Sequence, residues 1–304
     1  MRPWCRMTPP RLTLGKVSDM DHQKRDLAFL RLLKLPMYLW TLAFVFVSLL
    51  YVVTLSFLTP GETLGATGEV TLQNYARLFD PQYLRVLFNS LVLAFQTTAI
   101  CIVVGYPFGY FMARLKPKAR TLVMLLVIVP FWTNALIRIY GWRILLIANG
   151  PLNNLFIALG LTDEPLKLLN TQGAVLLGMV YALIPFMILP TFTTVEKLNF
   201  SVVEAARDLG AKPFTAFLTI TVPLTLPGLL AGCVLVFIPS MGLFFLSDLL
   251  GGSKNVLAGG LIQKLIGSRN IPLAAALSVL LLAVTSAVIV VYRKLGGTND
   301  MSLF

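Results

Sequence analysis

Apolar and polar residues alternate in long blocks along the chain, a pattern that predicts repeated membrane crossings. The uncharged apolar runs are residues 36–58, 88–113, 121–137, 168–195, 213–247 and 270–292. A bilayer core of about 30 Å needs about 20 helical residues. Each run therefore predicts one span, the third by extending slightly past Arg138. The predicted fold class is an all-α polytopic membrane protein with six transmembrane helices.

Two segments depart from this simple pattern. The fifth run is too long for one straight span, and because Pro223 and Pro227 interrupt it, its membrane helix is predicted to start near Thr225. Residues 144–162 are also uncharged, but they carry Asn, Gly and Pro at their centre. Such residues break a helix and need polar partners in lipid, so an interfacial or re-entrant segment is predicted.

Glycines spaced by four residues occur twice inside the spans, as Gly105/Gly109 and Gly228/Gly232. Small residues at this spacing let helix backbones approach closely. With 22 glycines in the chain, chance pairing and a dimer face both remain open.

Composition supports a membrane protein with a single membrane domain. Of the 304 residues, 57% are hydrophobic and 12% are charged, with a mean hydropathy of +0.81. Soluble domains have about 25% charged residues. The predicted organisation is a basic tail (1–35), a transmembrane domain (36–295) and a C-terminal tail (296–304).

The basic residues indicate which way the spans are oriented. Seventeen of the 25 Lys and Arg residues fall in the N-terminal tail, after the second and fourth runs, and at the C-terminal end. By the positive-inside rule this side is cytoplasmic, so both termini are predicted to be cytoplasmic. The first run lacks a cleavage site and is predicted to remain as a signal anchor.

The residues needed for catalysis by this chain alone are missing. The sequence contains no G-x-x-x-x-G-K-[ST], G-x-S-x-G or H-E-x-x-H motif. The three cysteines are far apart and His22 is the one histidine, so neither a metal site nor a cofactor is predicted. The basic residues that give the net charge of +12 lie between apolar spans and are not interleaved with aromatic residues. This arrangement favours membrane lipid over nucleic acid as a partner.

Residues 197–223 form a polar segment whose local chemistry predicts a helical hairpin. Ser201 and Glu204 fit a capping box that starts a helix near Val202. Gly210 can take the left-handed conformation that ends it. Pro213 suits the first turn of a second helix, which is predicted to break near Pro223. On this chemistry alone, a well-capped connector between two spans is a complete explanation.

The spacing in this segment resembles a known motif. The residues that carry the resemblance are Glu204, Ala205, Ala206, Gly210, Ile220 and Pro223. They match EAA-x3-G-x9-I-x-L-P, the motif of the permease subunits of ABC importers of type I, with Val222 in place of Leu. The resemblance implies that the segment is a cytoplasmic coupling loop that docks on a separate ATP-hydrolysing subunit.

Two longer blocks resemble the permeases of bacterial spermidine/putrescine importers. They are "VIVPFWTNALIRIYGWRILL" at 127–146 and "PLTLPGLLAGCVLVFIPSMGLFFLSDLLGGSKN" at 223–255. The resemblance implies a heterodimer with a second permease subunit, two ATP-binding subunits and an external substrate-binding protein. ATP hydrolysis is then expected in the partner subunits.

A path for a polycation should offer carboxylates and aromatic faces. The candidates are Asp248 near the outer end of the fifth span, and Phe131, Trp132, Tyr140 and Trp142 near the outer end of the third. The aromatic residues also suit an interfacial belt, and Asp248 also suits a turn cap.

Two other functions remain open. The first is an ABC permease for another small solute, which would share the coupling loop. The second is an ATP-independent channel or secondary transporter, for which more ionisable residues inside the spans or paired repeats are expected.

Overall fold

The computed structural model describes residues 34–61, 69–252 and 255–295. The predictions on the C-terminal tail and on nearly all of the N-terminal tail lie outside these residues. The chain divides into two compact units, residues 1–54 and 55–304. The described part of the first unit is one helix, α1 (Lys34–Ser56), whose last turn belongs to the second unit.

The second unit is built from helices. In chain order they are α2 (Gln73–Leu78), α3 (Pro81–Ala113), α4 (Pro117–Ile128), α5 (Ala135–Leu146), α6 (Pro151–Ala158), α7 (Gln172–Glu196), α8 (Phe200–Asp208), α9 (Pro213–Gly242), α10 (Ala258–Gly267) and α11 (Ile271–Leu295). Within the described residues, bridge pairing is limited to one antiparallel contact between Leu58 and Val70. The all-α prediction is confirmed.

Five of these helices are long and apolar enough to cross a membrane: α1, α3, α7, α9 and α11. A sixth span is obtained if the two bent halves Pro117–Trp132 and Ala135–Ala158 are counted together. The polytopic prediction is therefore confirmed, with a count of five continuous spans and one broken one in the described part of the chain.

The third predicted span is not the straight helix that the sequence suggested. Its two halves meet at an angle of 93°. Val129–Trp132 forms a 3-10 turn that contains Pro130, and Thr133 is extended. Asn134 then caps α5, because its side chain accepts a hydrogen bond from the Leu136 N–H at 2.8 Å. Proline and a capping asparagine together end one helix and start another.

The predicted break at Pro223, with a membrane helix starting near Thr225, is wrong. α9 runs without interruption from Pro213 to Gly242. Residues Phe217–Thr221 form a π-helical turn immediately before Pro223. Because a π turn holds one extra residue, it makes room for a proline ring that would otherwise clash with the preceding turn.

The polar centre of residues 144–162 is satisfied within the chain. α5 ends at Leu146, and α6 begins at Pro151. Asn153 is buried, donates to the carbonyls of Ile147 and Leu166, and accepts from the Leu166 N–H. The predicted break in the helix is thus present, and its buried amide is fully paired.

The core of the second unit is α7, which packs against α3 and α9. Both glycine pairs lie at these contacts. A Cβ added at Gly105 of α3 would lie 2.8 Å from Met187 Cγ, and one added at Gly232 of α9 would lie 2.7 Å from Met187 Sδ. The two pairs therefore form a helix-packing face inside the chain, with Met187 buried between them.

The second glycine of each pair brings backbones together. A Cβ at Gly109 would lie 3.0 Å from the Ile188 carbonyl oxygen, and one at Gly228 would lie 2.7 Å from the Pro190 carbonyl oxygen. A carbonyl oxygen of a packed helix cannot move aside as a flexible side chain can. These positions accept no larger residue without shifting a helix.

Gly228→Ala is expected to lower the stability of the folded protein by about 1–3 kcal/mol, because the methyl group would collide with Pro190 and Thr194. The measurement is the thermal unfolding midpoint of the purified protein in detergent. Gly242→Ala, on the same helix, is the control, since a Cβ at that position would meet no described atom within 4 Å. Equal midpoints for the two variants would contradict the packing role.

Candidate functional site

The first helix of the hairpin (residues 197–223) is capped by an asparagine and not by the predicted serine. The Asn199 side chain accepts hydrogen bonds from the Ser201 N–H at 3.1 Å and from the Ser201 hydroxyl at 2.8 Å. α8 accordingly begins at Phe200. The predicted Ser201–Glu204 capping box is wrong, because Asn199 occupies the capping position two residues earlier.

Gly210 ends α8 in the conformation that the sequence predicted. Its φ is +93°, in the left-handed region that favours glycine. The Gly210 N–H donates to the Arg207 carbonyl at 2.9 Å, and the Ala211 N–H donates to the Ala206 carbonyl at 3.0 Å. This pair of bonds is a Schellman motif, which fixes the direction of the chain after α8.

The second arm of the hairpin also begins as predicted. Lys212 is the residue before α9, and Pro213 is its first residue, where the missing N–H carries no cost. α8 packs against the first turns of α9. Glycine and proline chemistry therefore produces a defined helix–turn–helix.

The hairpin presents motif residues and apolar side chains at its surface. Of the motif residues, Ala206 and Ile220 are half-buried, and the exposed ones are Glu204, Ala205, Gly210 and Pro223. Leu209 is 90% exposed and Phe214 is 72% exposed. Two large apolar side chains on either side of a tight turn suit contact with another protein.

The charged side chains of the hairpin are free to pair elsewhere. Apart from Lys197 at its start, they are Glu204, Arg207, Asp208 and Lys212. Among the residues that the structure describes, none of the four forms an ion pair within 4 Å. The surface thus combines exposed apolar groups with unpaired charges of both signs.

Aromatic side chains join the base of the hairpin to α3. The Phe217 ring lies edge-on to Tyr110 at 5.4 Å and to Tyr106 at 6.1 Å between centroids. The Tyr106 hydroxyl lies 2.7 Å from the hydroxyl of Thr225, which is buried in α9. These contacts hold the π-helical turn of α9 against the last turns of α3.

A second attachment involves arginines at the ends of neighbouring helices. Arg114, just after α3, lies 5.3 Å from the centre of the Phe200 ring at the start of α8. Arg120 of α4 and Glu196 of α7 form an ion pair at 2.6 Å. The hairpin therefore contacts the helix bundle at both of its ends.

Asp248 lies on a π-helical turn, Ser247–Gly251, that packs against α5 and α7. Its side chain is exposed. The turn is held by other residues: Ser247 donates to the Asn255 carbonyl, and the Asn255 amide donates to the Gly251 carbonyl at 3.0 Å. Among the described hydrogen bonds, none assigns the alternative capping role to the Asp248 carboxylate.

The predicted aromatic residues of the third span do not form one cluster. Trp132 is 80% exposed and Tyr140 is 48% exposed. Phe131 instead lies edge-on to Phe186 of α7, with 6.1 Å between centroids. Trp142 similarly meets Tyr181 of α7 at 5.5 Å.

Sequence reasoning missed Arg138, Tyr181 and Phe186. The Arg138 guanidinium lies 4.5 Å from the centre of the Phe131 ring and 5.9 Å from that of Tyr181. A charged residue next to an apolar run is itself a signal, because charges inside spans are costly. The ring partners on α7 carried no such signal, since they come close only in the folded chain.

This chain is similar to known proteins in both sequence and fold. Residues 105–296 match the family described as binding-protein-dependent transport system inner membrane component. The spermidine/putrescine transport system permease protein PotB of Escherichia coli (strain K12) is 46% identical over 256 residues, covering 84% of this chain and 93% of that protein.

Chains in two crystal structures of a bacterial alginate ABC transporter have a fold similar to that of this chain. Their chains have TM-scores of 0.71 and 0.70 at 18% and 17% identity. The matches cover 92% and 91% of this chain and 99% and 98% of the matched chains. The second structure includes an alginate pentasaccharide-bound periplasmic protein.

The helical fold of this chain is that of the matched ABC transporter chains. The chain belongs to the family of binding-protein-dependent transport system inner membrane components. It is thus a multi-pass membrane subunit of a transport system. Membership in this family decides against the channel and the secondary transporter.

Phe217→Leu is expected to lower the stability of the folded protein, because both edge-on ring contacts disappear. The loss should be about 1 kcal/mol larger than the loss of buried apolar area alone would cause. Phe214→Leu makes the same change one turn earlier at an exposed position and should leave stability unchanged. Thermal unfolding of the two purified variants tests this. A larger loss in the Phe214 variant would refute the attachment.

Proposed function

We propose that the chain is the permease subunit of an ATP-driven spermidine/putrescine importer. The observation that carries the proposal is 46% identity to PotB over 84% of the chain. The chain forms half of the path, and the substrate passes from an external binding protein to the cell interior by alternating access.

The proposed assembly contains a second permease subunit, two ATP-binding subunits and the external binding protein. The periplasmic protein in the alginate transporter complex supports the last of these. The hairpin supports the proposal that ATP-binding subunits bind this chain. Its exposed Leu209 and Phe214, with unpaired charges beside them, suit a docking surface. ATP hydrolysis takes place in those subunits.

Coupling follows from how the hairpin is attached. Closure of the ATP-binding subunits displaces α8 and the first turns of α9. The Phe217 contacts with Tyr106 and Tyr110, and the Tyr106–Thr225 bond, carry this displacement to α3. The motif residues Glu204, Ala205, Ala206, Gly210, Ile220 and Pro223 act by shaping and presenting the hairpin.

The orientation and domain limits stay as the sequence predicted. The hairpin and both termini face the cytoplasm, in a bacterial inner membrane, on the basis of the positive-inside distribution of Lys and Arg. The permease domain is residues 36–295, between the tails 1–35 and 296–304.

The substrate path is proposed to include Asp248 and Phe131. An exposed carboxylate on a turn packed against α5 and α7 attracts a polycation. Phe131 offers a ring face that already holds the Arg138 guanidinium. Trp132 and Tyr140 are more exposed and line the entrance or meet lipid headgroups.

Uptake by the reconstituted complex tests the substrate. Proteoliposomes that contain both permeases, the ATP-binding subunits and external binding protein should accumulate radiolabelled spermidine or putrescine, and only with ATP inside. Asp248→Asn is expected to lower the rate several-fold, since it removes a carboxylate that attracts the cation. Accumulation of a different solute, with neither polyamine imported, would overturn the substrate assignment.

Gly210→Ala is expected to lower transport and transport-coupled ATPase activity about tenfold, because a side chain strains the left-handed turn of the hairpin. Gly160→Ala is a matched control. Gly160 has a φ of +68° and ends α6 with the same pair of backbone bonds, Gly160 to Ile157 and Leu161 to Phe156. The control should transport within twofold of the unchanged protein. Equal loss in both variants would show that backbone strain alone, and not the hairpin, is responsible.

A further inference from the structure

Arg138 is held by aromatic rings in place of hydrogen-bond acceptors. Its guanidinium carbon lies over Phe131 at 4.5 Å and near Tyr181 at 5.9 Å. Its Nε and Nη1 atoms are enclosed and have no hydrogen-bond partner among the described residues. Since a guanidinium carries five N–H donors, this is an incompletely compensated cation.

The rings around Arg138 are fixed in place by further rings. Phe131 rests edge-on against Phe186, and Tyr181 rests edge-on against Trp142. Tyr181 and Phe186 both belong to α7, the helix at the core of the unit. Ring faces that are held by rigid elements form an aromatic cage, and such a cage binds any cation of suitable size.

We propose that this cage is a binding site for one ammonium group of the transported substrate, and that Arg138 occupies it as a tethered stand-in. An arriving ammonium group takes the place of the guanidinium over Phe131 and Tyr181. One positive charge replaces another, so the exchange needs no counter-ion inside the cage. The inference rests on the proposed function, because it needs a cationic substrate.

Enclosure of two of its three side-chain nitrogens limits an ion pair between Arg138 and another subunit to Nη2. The Nε and Nη1 atoms are covered by this chain's own atoms. A carboxylate of a neighbouring subunit therefore cannot reach them unless the side chain leaves the rings. Cation–π contacts are weak compared with a buried ion pair, so a second cation can compete for the cage.

The test is direct binding of radiolabelled spermidine to the complex of two permeases and two ATP-binding subunits in nanodiscs, without the binding protein. Arg138→Gln empties the cage and is expected to tighten binding about three- to tenfold. Arg143→Gln removes the same charge from an exposed position on the same helix and should change binding less than twofold. Arg138→Lys keeps a cation in reach of the rings and should bind as the unchanged protein does.

If the proposal holds, the tighter spermidine binding of Arg138→Gln depends on the aromatic rings of the cage. Adding Phe131→Leu to Arg138→Gln should abolish the tighter binding, and Phe131→Leu alone should weaken binding. If Arg138→Gln fails to assemble, Arg138→Met replaces it and keeps the apolar stem of the side chain. Unchanged or weaker binding in the charge-free variants, or a gain that survives loss of Phe131, would overturn the cage.

Uptake with the binding protein present separates the two ideas. Failure of the unchanged complex to import spermidine or putrescine defeats the proposed function. Normal import together with no gain in binding for the charge-free variants defeats the cage alone.

Discussion

Close contact between α7 and its two neighbours is the constraint on which the second unit depends. Gly105 and Gly232 press on Met187 from opposite helices, and Gly109 and Gly228 approach backbone carbonyls of α7. Lipid is as apolar as leucine, so helices in a membrane adhere through such packing and not through a hydrophobic driving force. The positions of the hairpin, of the Asp248 turn and of the aromatic cage all follow from where α7 holds α3 and α9.

This packing also supports the proposed coupling between the surface hairpin and a transport path. α9 is one continuous helix from the hairpin through the core, because a π turn absorbs Pro223. Its first turns are fastened to α3 by Phe217, and its middle lies against α7 at Gly228. A force on the hairpin therefore reaches α3 through aromatic contacts and α7 through backbone contacts. Interlocked helices of this kind move as bodies and do not bend locally.

The sequence predicted features whose chemistry is local and missed those that depend on competition or distance. Gly210 and Pro213 were placed correctly, because left-handed caps and first-turn prolines need no tertiary contact. Ser201 failed as a cap because Asn199, two residues earlier, is an equally good one and local patterns do not rank them. Contacts such as Phe217 with Tyr110 join residues about a hundred positions apart, which hydrophobic periodicity does not report.

The break in the third span, which hydropathy alone did not reveal, is what creates the cage. In an uninterrupted helix, residues seven apart are separated by about 10.5 Å along the axis. Arg138 nevertheless lies 4.5 Å from the ring of Phe131, seven residues earlier. The 3-10 turn, the extended Thr133 and the Asn134 cap turn α5 through 93° and fold Arg138 back over that ring. The same bend brings α5 against the turn that carries Asp248. A helix interruption thus places the Arg138 guanidinium over a ring face and packs the same helix against the turn that carries Asp248.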